Sequence, residues 1–245
     1  MSSTAAPLLA AEGLNAWYGA AQILFDVGLE VHRGEVVALM GRNGAGKSTT
    51  LKALMGLLAR RSGRVAFMGR DISKSPAFEI ARLGLGYVPE DRRIFTELSV
   101  LENLDVGRKP PRRWPDGGAA PVWTPAQLFT LFPNLGEMPG RPGGRMSGGE
   151  QQMLTVARTL MGNPFVVLLD EPSEGVAPLI VEQMAQMILA LKAQGVAILL
   201  SEQNLHFAEL VADRAYVLEK GQMRFAGTMA ELAADDEVRR AHLSL

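Results

Sequence analysis

Three short stretches of this chain carry residue types at spacings suited to phosphate chemistry. "GRNGAGKST" (residues 41–49) fits the pattern G-x-x-x-x-G-K-[ST], with Gly41, Gly46, Lys47 and Ser48 at the fixed places and Asn43, Gly44, Ala45 and Thr49 filling the loop and its exit. It follows a buried-type run, Val36 to Met40, and opens a helical segment, which is the context the motif requires. Glycines let backbone N–H groups encircle phosphate oxygens, and a helix N-terminus adds its positive end. Lys47 is then expected at the β- and γ-phosphates, with the Ser48 hydroxyl on Mg²⁺. "FVVLLDE" (165–171) ends an apolar run in two carboxylates. Asp170 suits Mg²⁺, held through water or Ser48, and Glu171 suits an attacking water on the other side. "RMSGGEQQML" (145–154) reads first as a capping box, Ser147 with Glu150 three residues on. That leaves Gly148 and Gly149 unexplained, because glycines weaken a helix start unless something must approach the backbone. A serine hydroxyl and free N–H groups at a helix start form a second anion-binding end.

The elements that must position these residues follow from hydrophobic patterning. Residues 8–40 read as strands, with a turn at Arg33-Gly34. A helix is expected from Gly46 through "STTLKALMGLL", then a strand at "GRVAFMG", a helix at "SPAFEIARLG" stopped by Gly84, and a strand at "LGYVPE". From about 91 to 163 the pattern turns helical, at "VLENLDVG", "TPAQLFTLF" and "SGGEQQMLTVARTLMG". Between them "GRKPPRRWPDGGAAPVW" reads as an irregular loop. "FVVLL" and "VAILL" are unbroken apolar runs of the kind found in parallel sheets covered on both faces. Ile180, Met184, Ile188 and Leu191 recur at helical spacing, which core packing explains. "AYVLEKGQMRFAG" reads as a hairpin turning near Lys220-Gly221, and the C-terminal segment as an amphipathic helix. The outline is an α/β core interrupted by a helical insert.

Composition narrows the class. The chain has 245 residues, 47% hydrophobic and 21% charged, with formal net charge −1. No global basic bias favours nucleic acid as a partner, and the pairs Arg92-Arg93 and Arg112-Arg113 read as solvated surface. The absence of cysteine removes thiolate nucleophiles, disulfides and Cys-ligated zinc. No basic n-region or long apolar h-region marks the N-terminus as a signal peptide, and no apolar run approaches the ~20 residues of a membrane span.

A phosphate loop, then "SGGEQ", then "LLDEPS" about twenty residues later, resembles the nucleotide-binding subunit of an ATP-binding-cassette (ABC) transporter over essentially the whole chain. The resemblance implies a P-loop NTPase (RecA-like) α/β core, an antiparallel β subdomain and an inserted α-helical subdomain. It implies a single domain, 1–245, with 1–90 and 164–245 as ATP-binding core and about 91–163 as the helical part. Two such subunits would face head to tail, each ATP lying between the phosphate loop of one and the "SGGE" helix of the other. On the matching positions Ser147 and Gly149 contact γ-phosphate, with Gly148 and Glu150 in the same motif, and Glu171 is the general base. Tyr18 in "AWYGA" matches the aromatic residue that stacks on adenine.

Three positions depart from the common pattern. Glu90 stands where most relatives carry a glutamine that senses Mg²⁺ and touches the permease. Ala177 replaces an aspartate, and Gln203 stands where a γ-phosphate-sensing histidine is usual. Counting back from "ADR" (212–214), His206 falls three residues too late to substitute. A glutamine amide hydrogen-bonds to the same groups but carries no charge. "YVPE-x-RRIF", "SGGEQQML", "DEPS-x-G-x-AP" and "L-x-EQN" together are similar to one of the two ATPase subunits of branched-chain amino acid importers. Relatives of that subfamily import urea, amides or other small polar solutes, so the solute stays open. The implied partners are two integral-membrane permeases, a second similar ATPase subunit and, indirectly, an extracytoplasmic solute-binding protein, with the chain peripheral on the cytoplasmic face. A P-loop GTPase or kinase is disfavoured by the lack of N-K-x-D and the presence of "SGGE". A non-transport ABC protein usually carries two cassettes or a long coiled coil. A non-hydrolysing regulatory subunit fits poorly with Lys47, Ser48, Ser147, Asp170 and Glu171 all present.

Overall fold

The unbroken apolar runs form the centre of one sheet. In the computed structural model, which describes residues 6–243, Val36–Met40 (β3), Val166–Asp170 (β7) and Ala197–Glu202 (β8) are buried at every position. With Leu85–Val88 (β6), Arg214–Glu219 (β9) and Gln222–Thr228 (β10) they make a six-stranded sheet, order β10-β9-β3-β8-β7-β6. All neighbours are parallel except β10, which returns on β9 as the hairpin expected at Lys220-Gly221. Parallel strands end at a common edge, where ligands bind in open α/β sheets. The segments after β3, β6, β7 and β8 therefore converge there from distant parts of the chain.

A second, antiparallel sheet has the order β2-β1-β4-β5, from Leu9–Tyr18 (β1), Ala21–Val31 (β2), Arg60–Phe67 (β4) and Arg70–Asp71 (β5). Alternate residues of β3 face different layers. Val37 and Leu39 pack with this antiparallel sheet, whereas Val36, Ala38 and Met40 join the core that also takes in the helical insert.

The helices are Lys47–Leu54 (α1), Ala77–Leu83 (α2), Val100–Gly107 (α3), Pro125–Leu131 (α4), Pro133–Gly136 (α5), Gly148–Leu160 (α6), Pro178–Ala193 (α7), Leu205–Val211 (α8), Met229–Ala234 (α9) and Asp236–Val238 (α10). Capping boxes start α3 (Ser99, Glu102), α4 (Thr124, Gln127), α6 (Ser147, Glu150) and α9 (Thr228, Glu231). None of the helices is long and apolar enough to cross a membrane, among the described residues.

Three features differ from the sequence expectation. Helix α1 stops at Leu54 rather than running to Leu58, because Gly56 takes φ 74° and the N–H groups of Gly56 and Leu57 close on the carbonyls of Ala53 and Lys52. The irregular loop 107–123 is pinned to the core. Trp114 is buried against Phe165 (4.9 Å between centroids), and the Arg33 guanidinium lies 4.0 Å from the centroid of the Trp114 ring and pairs with Asp116 at 2.9 Å. Arg112 is half-buried and donates to the Arg82 carbonyl at 2.7 Å, not a solvated surface residue. The C-terminal segment breaks at Asp235, which caps α10 through the Val238 N–H. Residues 1–5, part of the stretch read as lacking a signal peptide, and the last two residues of the C-terminal segment lie outside the described residues.

Candidate nucleotide site

Gly46 begins α1 at φ 111°, and a Cβ there would meet Leu24 Cδ2 at 2.9 Å, so both conformation and space require glycine. No side chain caps this helix start, which leaves its N–H groups open to an anion. Lys47, 3% exposed, donates to the carbonyls of Gly41 (2.8 Å) and Arg42 (3.3 Å), and its Nζ lies 3.0 Å from Glu171 Oε1. Those three acceptors match the three ammonium protons. The lysine expected on phosphate thus holds the carboxylate expected to face water.

Asp170 is 1% exposed and engaged on both oxygens, by the Tyr87 hydroxyl (3.1 Å to Oδ2) and the Ser201 hydroxyl (2.6 Å to Oδ1). Burial and the adjacent Asp170 charge push the Tyr87 phenol well above its usual range, so it stays a donor. Glu171 sits at φ 47°, a left-handed conformation that costs roughly 1–2 kcal/mol for an L-residue with a Cβ. Its N–H donates to both the carbonyl and the hydroxyl of Ser201, each at 3.1 Å. Burial raises the Glu171 carboxyl, but a hydrogen bond with Glu174 and the Lys47 ammonium outweigh it and hold the group below the usual carboxylate range. The same bond, with burial and the charges of Glu171, Glu90 and Glu202, pushes Glu174 up to about 7. Of the two glutamates, Glu174 thus holds a proton the more readily.

These elements enclose a cavity of about 430 Å³. Its walls bring together Tyr18, Asn43, Gly44, Gly46, Lys47, Ser48, Thr49, Glu90 and Glu171. Gly41 is buried behind the loop, and Ala45 lines a smaller neighbouring cavity. Asp170, next in the chain to Glu171, is buried and is not on the wall. Gln203 is exposed one residue beyond β8 and is not on the wall, and neither are Ser147, Gly148, Gly149 and Glu150. The wall also contains Glu174, which the sequence reading passed over; its only signal was its spacing of three from Glu171. Tyr87 and Ser201 were missed as well. Their signal lay in strand order, since β6 and β8 flank β7.

The donor set suits a hard cation. Among the described residues no group of three or more His, Cys, Asp or Glu forms a metal cluster alone. Ser48 and Glu90 on the wall and the buried Asp170 offer oxygen only, and Mg²⁺ typically takes one or two protein carboxylates and completes its shell with phosphate and water.

The family model described as "ABC transporter" matches residues 24–174. The chain belongs to the ABC transporter family. It is a nucleotide-binding ATPase subunit of that family. It is 42% identical, over 96% of its length and 99% of the relative's, to the high-affinity branched-chain amino acid transport ATP-binding protein BraG of Pseudomonas aeruginosa. It is 33% identical to the lipopolysaccharide export system ATP-binding protein LptB of Escherichia coli K12, covering 96% of each chain. Among solved structures it is similar to a nucleotide-free ATP-binding cassette from an ABC transporter, with TM-score 0.78, 28% identity and coverage of 95% of this chain and 97% of the other. An ATP-binding cassette of an ABC transporter in its ADP conformation matches with TM-score 0.78 and 27% identity, covering 96% and 98%.

In this ABC ATPase the start of α6 has the capping box read from sequence: the Ser147 N–H donates to Glu150 Oε2 at 2.7 Å, and Ser147 itself is exposed. One of the two glycines has a reason within the chain. A Cβ on Gly148 would come within 2.8 Å of Arg92 Nη1, and one on Gly149 within 2.9 Å of Ile180 Cγ1. Close packing against Ile180 therefore gives Gly149 a reason beside any approach of a ligand, whereas the movable guanidinium of Arg92 does not by itself require a glycine at 148.

Proposed function

We propose that this ABC ATPase powers a branched-chain amino acid importer, hydrolysing ATP beneath two membrane permeases at the cytoplasmic face. The observation that carries the solute is the 42% identity to BraG across nearly the full length of both chains, against 33% to LptB. In this reading Lys47 and the N–H groups of residues 43–49 hold the phosphates, Tyr18 stacks on adenine, and Glu171 takes the proton of the attacking water. Ser48, Glu90 and Asp170 hold Mg²⁺, which when bound neutralises phosphate charge. Ser147, Gly148, Gly149 and Glu150 of a second, similar ATPase subunit close the other side of the nucleotide. Their absence from this chain's own cavity wall supports that arrangement.

A second cleft, about 450 Å³, supplies the permease seat. The exposed apolar side chains Leu57, Phe95 and Val106 line it with Arg93, Lys109 and Arg158, and no carboxylate does. Arg158 Nη1 is buried there without a hydrogen-bond partner. An apolar permease segment bearing an acidic residue complements this surface. Tyr87 and Pro89 line the cleft, while Glu90 lines the nucleotide cavity and the Tyr87 hydroxyl holds Asp170. Movement of this one segment links permease to nucleotide.

The test is reconstitution in vesicles with the permease pair and its binding protein. ATP-dependent leucine uptake, competed by isoleucine and valine, is the expected result; uptake of urea or short amides alone, or lipopolysaccharide release, replaces the solute assignment. Within the site, Gln203→Ala is expected to slow hydrolysis about three- to tenfold, the worth of one hydrogen bond. His206, exposed on α8, is expected to tolerate alanine without loss. A damaging His206→Ala with a silent Gln203→Ala would mean that this loop is aligned wrongly.

A further inference from the structure

Glu202 ends β8 at 1% exposure, and nothing in the roles assigned above uses it. Its carboxylate joins two loops. The Ser173 hydroxyl donates to Oε2 at 2.7 Å, and the backbone N–H groups of Gln203 and Asn204 each donate to Oε1 at 2.9 Å. A carboxylate this deep is costly unless donors surround it, and here three do. Ser173 lies two residues past Glu171, inside the turn closed by the Glu174 N–H on the Glu171 carbonyl at 3.2 Å. A non-glycine residue stays in a left-handed conformation only where its surroundings over-determine it. Ser201 fixes the entry to this turn through the Glu171 N–H, and Glu202 fixes its far side through Ser173. The two braces are consecutive residues of one buried strand.

We propose that Glu202 is a positioning residue for ATP hydrolysis: its carboxylate clamps Ser173 to hold the turn that aims Glu171, and binds the Gln203 and Asn204 amides to keep Gln203 in register with that turn. The inference rests on Glu171 being the general base. A mere strand-end cap would instead show its loss in stability and leave turnover per folded molecule unchanged.

The test is steady-state ATPase kinetics of the full chain, with affinity for a non-hydrolysable ATP analogue and thermal melting measured alongside. Glu202→Ala is expected to lower kcat by tenfold or more, towards the roughly 10²-fold cost of ångström-scale misplacement. KM and analogue affinity should stay within about twofold, the signature of an effect on chemistry rather than binding. Glu202→Gln keeps an acceptor for both amides and an NH₂ group that the Ser173 hydroxyl can accept from, so it should stay within about threefold of the parent. Ser173→Ala should also lower kcat, and its effect should largely vanish in the Glu202→Ala background, because both changes remove one contact. Lower melting with unchanged kcat, a rise in KM alone, or multiplicative effects of the two changes would overturn the proposal. If Glu202→Ala does not fold, Ser173→Ala and Glu202→Gln decide it: full-speed Ser173→Ala, or Glu202→Gln slowed tenfold or more, overturns it. Retained turnover in Glu171→Gln would instead remove the base assignment itself. A dead Glu171→Gln beside full-speed Ser173→Ala and Glu202→Ala would remove only the brace.

Discussion

Glu171→Gln will stop steady-state ATP hydrolysis while leaving ATP bound. Removing a general base typically costs 10²–10⁴-fold, and the amide is isosteric, so the loss should fall in kcat. Glutamine keeps an acceptor oxygen for Lys47 and preserves the backbone N–H bonds to Ser201, so the phosphate loop and the left-handed turn should survive. A subunit that binds ATP without consuming it accumulates in its nucleotide-bound form. If Ser147 of a second subunit closes the site, that form is a dimer. Size-exclusion chromatography with ATP should therefore show a dimer for Glu171→Gln at concentrations where the parent is monomeric, and turnover assays should show nothing above background. Parent-like hydrolysis would remove Glu171 as the base. A dead variant that stays monomeric with ATP bound would keep the base and remove the closing role of Ser147.

What could be read from the sequence was whatever is encoded locally. The phosphate loop is one contiguous motif, so Lys47 and Ser48 were legible before any fold was known, and the six-stranded sheet's central strands were legible because burial on both faces leaves polar residues only at their C-terminal ends. The capping boxes at Ser99, Thr124, Ser147 and Thr228 lie within four residues each. The rest depends on neighbours far apart in the chain. Trp114 reads as part of an irregular proline-glycine loop because its partners, Phe165 and Arg33, lie about fifty residues downstream and eighty upstream. Tyr87, Ser201 and Glu202 become part of the site only once β6 and β8 are known to flank β7. Gly148 and Gly149 point in sequence to an approaching ligand, and the packing of Ile180 against Gly149 adds a reason within the chain that only the fold reveals. The left-handed backbone at Glu171 had no sequence signal, since glutamate gives no warning of positive φ.

Lys47→Met will affect the chain twice, once in catalysis and once before any nucleotide arrives. Taking one charged donor from a developing phosphoryl charge costs on the order of 10²–10³-fold in turnover. The same ammonium also neutralises Glu171 in a site where lysine is 3% and glutamate 7% exposed. Breaking a buried pair on one side costs about 3–5 kcal/mol, because the remaining charge stays buried and unpaired. The pH dependence separates the two effects. In the parent, Glu171 is held below the usual carboxylate range, so the pair's contribution is present above that range and is lost as pH falls through the depressed value. Without Lys47 the burial term dominates, Glu171 takes up a proton more readily, and the variant's penalty is largest at neutral pH and shrinks on acidification. Thermal melting of the nucleotide-free chain should thus show parent and Lys47→Met converging as pH falls. Adding Glu171→Gln to Lys47→Met should recover most of the lost stability at neutral pH and none of the turnover. A constant gap across pH, or no recovery in the double variant, would mean that the pair at 3.0 Å contributes nothing to the resting state.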